Sequence, residues 1–117
     1  MGHIYQQVKL TAEKPATVEM FVDTGATFSM IPDALARAIG VRRLRRRFTV
    51  SLADGRRVKF GAGLATVRIG DREVPSTLLV GDVPKPILGV ETLEALGLTV
   101  DARNGRLKPS RSWTLRV

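Results

Sequence analysis

Two runs of alternating apolar residues, Phe48, Val50, Leu52 and then Val58, Phe60, meet at Ala53-Asp54-Gly55-Arg56. An Asp-Gly step between such runs predicts a β-hairpin closed by a type I′ turn, because that turn needs positive φ at both central residues and glycine accepts it at least cost. The signature recurs along the chain. Residues 3–10 alternate at Ile4, Gln6, Val8 and Leu10, a polar stretch over 11–15 reads as a loop, and 17–22 supplies a first antiparallel partner. Gly61-Ala62-Gly63 predicts a bend, and 64–69 with 73–80 form a second hairpin across Gly70-Asp71. Leu98-Thr99-Val100 precedes Asn104-Gly105, again a type I′ signal, with 113–117 as a last short strand. Two stretches are helical instead. Pro32 sits where a first helical residue would be, ahead of 33–39 with Gly40 at the stop, and 90–96 follows Gly89. Many short strands with two helices of about two turns predict an all-β domain, a partly closed barrel.

A chain of 117 residues fits one domain over 1–117 and has no room for two. No apolar run approaches the ~20 residues of a membrane helix. Met1-Gly2-His3-Ile4 lacks the features of an export signal, and the absence of cysteine excludes disulfide-dependent secretion, so a cytoplasmic protein is the expectation. The net charge of +8 is densest at Arg42-Arg43-Leu44-Arg45-Arg46-Arg47, which raises nucleic acid or acidic partners. No aromatic residues interleave with these arginines as a surface for stacking single strands requires, and a basic run beside a helix end is ordinarily a solvated face. Nucleic acid is therefore not the expected primary partner. The single histidine, His3, is terminal and there is no cysteine, so neither a metal site nor a Ser-His triad is expected, and no glycine-rich loop ends in Lys-Ser or Lys-Thr; no cofactor is expected.

Chemistry concentrates at Asp23-Thr24-Gly25-Ala26, entered from apolar Met20-Phe21-Val22. Taken alone it could be a polar turn after a strand. A second element, Pro86-Ile87-Leu88-Gly89 before the helix-like Val90-Glu91-Thr92-Leu93-Glu94-Ala95-Leu96, changes the weighing, as does the strand Thr77-Leu78-Leu79-Val80-Gly81-Asp82-Val83-Pro84 leading into it. In order and spacing, over residues 18–100, these elements resemble the retropepsin-like family, single-domain aspartic proteases of retroviruses and their cellular and bacterial relatives.

The resemblance implies an acid-protease-like barrel equivalent to half of a pepsin-type bilobal enzyme, and an endopeptidase acting on polypeptides. Peptide hydrolysis without a metal or a covalent nucleophile can proceed when two carboxylates share one proton and hold a water between them. No second Asp-Thr-Gly or Asp-Ser-Gly exists in the chain, so the pair has to be Asp23 from each subunit of a two-fold homodimer. By the same resemblance Thr24 bonds the partner's loop, Gly25 lets substrate approach, and Ala26 offers backbone hydrogen bonds to the peptide. Ile87, Leu88 and Gly89 support the loop, with Gly89 letting the following helix pack tightly. The hairpin tip Ala53, Asp54, Gly55, Arg56 corresponds to the flap. It departs from the family's glycine-rich tips in being polar and cationic, and Thr27 stands where the family usually has Asp or Ser. Two rivals have sequence support. One is a catalytically inactive, dimeric peptide-binding module of this fold, against which the intact Asp23 argues. The other is a basic nucleic-acid-binding β-barrel.

Overall fold

The period-two burial that the sequence predicts is clearest in β1 (Tyr5–Thr11) and β2 (Pro15–Val22), where Val8, Leu10, Met20 and Val22 are buried and their neighbours face outward. The two strands pair antiparallel from Tyr5↔Phe21 to Thr11↔Pro15, so the expected five-residue loop shrinks to residues 12–14. This is a computed structural model, and it describes residues 3–112. The strand expected over 113–117 lies outside the described residues.

The remaining elements, in chain order, are β3 (Ser29–Pro32), α1 (Asp33–Ile39), β4 (Phe48–Ser51), β5 (Arg57–Ile69), β6 (Arg72–Gly81), β7 (Ile87–Leu88), α2 (Val90–Leu96), β8 (Leu98–Asp101) and β9 (Arg106–Pro109). The large sheet runs β1-β2-β7-β3-β6-β5-β4, and β1 also pairs β5 through Lys9↔Arg68, Leu10↔Val67 and Thr11↔Thr66. Six strands thus close into a ring, while β4 hangs from β5 alone. The fold is all-β with two short helices, a ring of strands rather than a regular barrel.

Inside the ring, Val8, Leu10, Met20, Ile31, Val67, Leu78, Val80 and Leu88 form the core, with Ala36 and Ile39 from α1 and Leu93 and Leu96 from α2. A two-turn helix is marginal in isolation, and this packing is what holds both. Arg72 adds a cap: its guanidinium donates to the Leu96 and Gly97 carbonyls at the end of α2, each at 2.9 Å. Pro32 is the last residue of β3 and caps α1 in an extended conformation rather than opening it. No helix among the described residues is long and apolar enough to cross a membrane.

The turn chemistry differs from the sequence expectation in an instructive way. No non-glycine described residue has positive φ, so neither Asp54-Gly55 nor Asn104-Gly105 forms a type I′ turn. At the first, the Leu52 N–H donates to the Arg56 carbonyl (2.8 Å) and the Gly55 N–H to the Leu52 carbonyl (2.9 Å). That register leaves a three-residue loop, Ala53-Asp54-Gly55, with only Gly55 left-handed at φ 87°. At the second, Asp101↔Arg106 closes a four-residue loop in which the Asp101 carboxylate accepts from Asn104 Nδ2 (2.7 Å) and from its backbone N–H (3.3 Å). The Asn104 side-chain amide is the main reason that carboxyl sits below its ordinary pKa. The returning strand is β9, which no alternation of apolar residues in the sequence announces. Gly61-Ala62-Gly63 also does not end a strand: β5 runs through it, exchanging β4 for β6 as its neighbour.

Candidate active site

β7 lies between β2 and β3, parallel to the former through Phe21↔Ile87 and Val22↔Leu88 and antiparallel to the latter at Met30↔Ile87. Consequently the loop leaving β2 has to pass the end of β7 before it enters β3. This topology puts Asp23-Thr24-Gly25 beside Pro86-Ile87-Leu88-Gly89, two segments far apart in sequence. Hydrogen bonds hold the loop there: Asp23 N–H to the Leu88 carbonyl (3.0 Å), Phe21 N–H to that of Pro86 (3.0 Å), and Ala26 N–H to that of Asp23 (3.1 Å). The Gly25 N–H donates to Asp23 Oδ1 at 2.9 Å, orienting the carboxylate.

Gly89 lies directly behind the loop. A Cβ there would be 2.5 Å from the Phe28 carbonyl carbon and 2.9 Å from the Ala26 carbonyl oxygen, both backbone atoms that cannot swing aside. Its absence lets the start of α2 dock on the loop, with Val90 N–H donating to the Ala26 carbonyl (2.8 Å) and Glu91 N–H to that of Thr27 (2.9 Å). Both backbone groups of Ala26 are therefore engaged by the protein itself, whereas the resemblance assigned them to bound peptide.

A chain of buried hydroxyls completes the support. Ser29 Oγ accepts from the Gly89 N–H (3.0 Å) and lies 2.7 Å from Thr92 Oγ1, which in turn is 2.8 Å from Ser76 Oγ. All three residues are buried, and they tie β3, α2 and β6 together under the loop. Sequence reasoning missed them. The available signal was weak: Thr92 is a hydroxyl on the otherwise apolar buried face that carries Leu93 and Leu96.

Asp23 lines a cleft of about 440 Å³ together with Gly25, Ala26 and Ile87 and with Ala53 and Arg56 of the β4–β5 hairpin. Asp82, a second carboxylate that the sequence reading passed over, lines this cleft too. Thr27 instead borders an adjoining apolar cavity of about 600 Å³ beside Phe28, Met30, Phe48 and Leu79. Thr24 is exposed, as are Asp54 and Gly55 at the hairpin tip, while Leu88 and Gly89 are buried behind the loop. At the tip, Asp54 accepts from the Arg56 N–H (3.0 Å) and from its Nε (2.7 Å). The backbone bond first, and the guanidinium after it, hold the Asp54 carboxyl below its ordinary value. An exposed pair of this kind adds little to global stability; its effect is to shape the tip.

A closed ring of strands, an Asp-Thr-Gly loop threaded past the Ile-Leu-Gly segment, and a projecting hairpin together define a retropepsin-like aspartic protease fold. The chain belongs to the gag-polyprotein putative aspartyl protease family, whose model matches residues 8–95. Among solved structures, the EIAV protease complexed with the inhibitor HBY-793 superimposes with a TM-score of 0.68 at 22% identity, covering 85% of this chain and 92% of that one. A likeness at that identity establishes the shared fold. No curated protein matches the sequence.

Proposed function

We propose that this chain is a homodimeric aspartic endopeptidase, with residues 1–117 forming one protease domain per subunit and Asp23 supplying one catalytic carboxylate from each. The observation that carries the reading is Asp23, its carboxylate oriented by the Gly25 N–H, lining one cleft with residues of the β4–β5 hairpin, in a chain with no second Asp-Thr-Gly. Two carboxylates a few ångströms apart resist double ionisation, so the pair retains one proton. The ionised member takes a proton from the bound water, whose oxygen attacks the scissile carbonyl carbon. The protonated member donates a hydrogen bond, then its proton, to the carbonyl oxygen. As the gem-diol collapses, one of its hydroxyls gives its proton to the ionised carboxylate while the protonated carboxyl gives its own to the departing nitrogen; the C–N bond breaks and the pair is left singly protonated.

Around this chemistry Thr24 bonds the partner loop, Gly25 leaves room for the peptide backbone, and residues 53–56 cover the extended substrate and exclude water. Half-buried Ile87 and buried Leu88 and Gly89 keep the loop in place. Asp23→Asn removes the acid and the base together. We expect it to lower kcat/KM by at least ~10³-fold while leaving the melting temperature unchanged. Equal cleavage of a peptide library by mutant and wild type would refute the assignment.

A further inference from the structure

Outside the Asp23 cleft, a second groove of about 600 Å³ is lined by Glu13, Arg42, Leu44, Gly63, Leu64 and Thr77, among others. Leu44 and Thr77 also line the apolar cavity beside the active-site loop, so the two spaces adjoin along one sheet face. Strand register explains the continuity. Ala62↔Leu79 and Leu64↔Thr77 are successive same-face pairs of β5 and β6, leading from the buried cluster of Phe60, Ala62 and Leu79 out to the open edge. At that edge Leu64 is 65% exposed and Leu44 is 60% exposed, an unusual placement for two leucines side by side in a groove.

The wall carrying Leu44 is fixed before anything binds. Leu44 N–H donates to the Ala62 carbonyl (2.8 Å), Val41 N–H to that of Ala36 (2.9 Å), and Arg43 bridges Gly63 while its guanidinium pairs with Asp33 at 2.8 Å. Gly63 is needed for this approach, since a Cβ there would strike the Val41 side chain and come within 2.6 Å of the Arg42 carbonyl oxygen. Only Arg43 of the run is engaged in an ion pair among the described residues; Arg42, Arg45, Arg46 and Arg47 are exposed and in none. Against them the groove holds a single carboxylate, Glu13, beside Gly40.

We propose that this groove is a second binding site for the substrate polypeptide, taking an apolar side chain between Leu44 and Leu64 with neighbouring carboxylates on the arginines. The inference rests on the protease reading and deepens it: the preferred substrate is an extended acidic segment carrying leucine-like residues at a distance from the scissile bond. A two-fold dimer carries two copies of the groove, so either flank of the substrate can use one. A six-residue flank reaches roughly 20 Å at ~3.4 Å per extended residue, over half of the molecule's 35 Å longest dimension.

The test has a kinetic arm and a binding arm. A peptide cleaved by the wild type is compared with the same core flanked at both ends by a hexapeptide of leucine and glutamate; the labelled hexapeptide alone is titrated by fluorescence anisotropy. Wild type, Asp23→Asn, Leu64→Ser and Arg42→Glu are used, the last two at exposed positions that leave the core intact. We expect the flanks to lower KM about tenfold for wild type, and the hexapeptide to bind wild type and Asp23→Asn alike. Leu64→Ser and Arg42→Glu should each weaken that binding about tenfold, the scale of burying one leucine or losing one charge-assisted contact. Hexapeptide binding with no cleavage of any peptide would leave the groove standing and remove the protease reading. Cleavage of the core with no effect of the flanks and no hexapeptide binding would do the reverse. A uridine oligomer that binds more tightly than the hexapeptide and loses affinity in the same variants would overturn the proposal in favour of a nucleic-acid surface.

Discussion

Gly89 shows how much a single missing side chain settles. It was legible in the sequence because the Ile87-Leu88-Gly89 run and the helix after it form a recognisable order, and the structure supplies the reason: backbone of the Asp23 loop occupies the place of a Cβ. Gly89→Ala should therefore force the loop and α2 apart, costing ~1–3 kcal/mol in denaturant unfolding and displacing Asp23 enough to depress kcat/KM. A fully stable and fully active Gly89→Ala protein would show that the loop is not anchored here. Ser29, Thr92 and Ser76 perform comparable support and were not legible. Their hydroxyls have meaning only as a set, and Ser29 meets Thr92 across 63 positions of sequence, a contact no local pattern encodes.

For the β4–β5 hairpin, the alternation of Phe48, Val50 and Val58, Phe60 announced the strands correctly, and they pair as Val50↔Val58 and Phe48↔Phe60. The turn type escaped because it depends on which residues close the ladder, and the Leu52–Arg56 closure adds a third loop residue. β9 escaped for another reason: Arg-Leu-Lys-Pro offers one apolar residue, Leu107, whose partner is Val100. At the tip, nothing lies within 4 Å of a Cβ built on Gly55, so a larger residue there meets no steric obstacle, only the left-handed backbone. Gly55→Val should cost ~1 kcal/mol or more locally and reshape the tip. We expect impaired peptide cleavage with little change in melting temperature, measured side by side; unchanged kinetics would mean the hairpin does not cover the site.

The tip also has a defined acid limit. Asp54's carboxyl is held below the ordinary 3.8 by its bonds to Arg56, so the ordering it gives is complete above that value. It is lost only as pH falls further, through the lowered value. The hairpin is thus predicted to stay ordered through the mildly acidic range, and Asp54→Ala to increase amide exchange at residues 54–56 at pH 6 as well as pH 4. Identical exchange in mutant and wild type would show that Asp54 does not order the tip.

For the whole molecule, the all-β class was readable from strand lengths and turn residues, while the ring's order was not. β7 pairs β2 across some sixty-five intervening positions and β3 pairs β6 in parallel, arrangements that follow from closing a core around Leu10, Ile31, Leu78 and Leu88 rather than from any local signal. That closure leaves each chain with a single Asp23 at its cleft, and the central claim is that catalysis needs two. It can be tested most directly by co-refolding a fixed amount of wild type with a ninefold excess of Asp23→Asn and measuring activity per wild-type subunit. If the carboxylates come from opposite subunits, random pairing leaves each wild-type chain about a one-in-ten chance of a wild-type mate, and activity falls to about a tenth. Activity unchanged by the excess would contradict the shared dyad and place both catalytic groups within one chain.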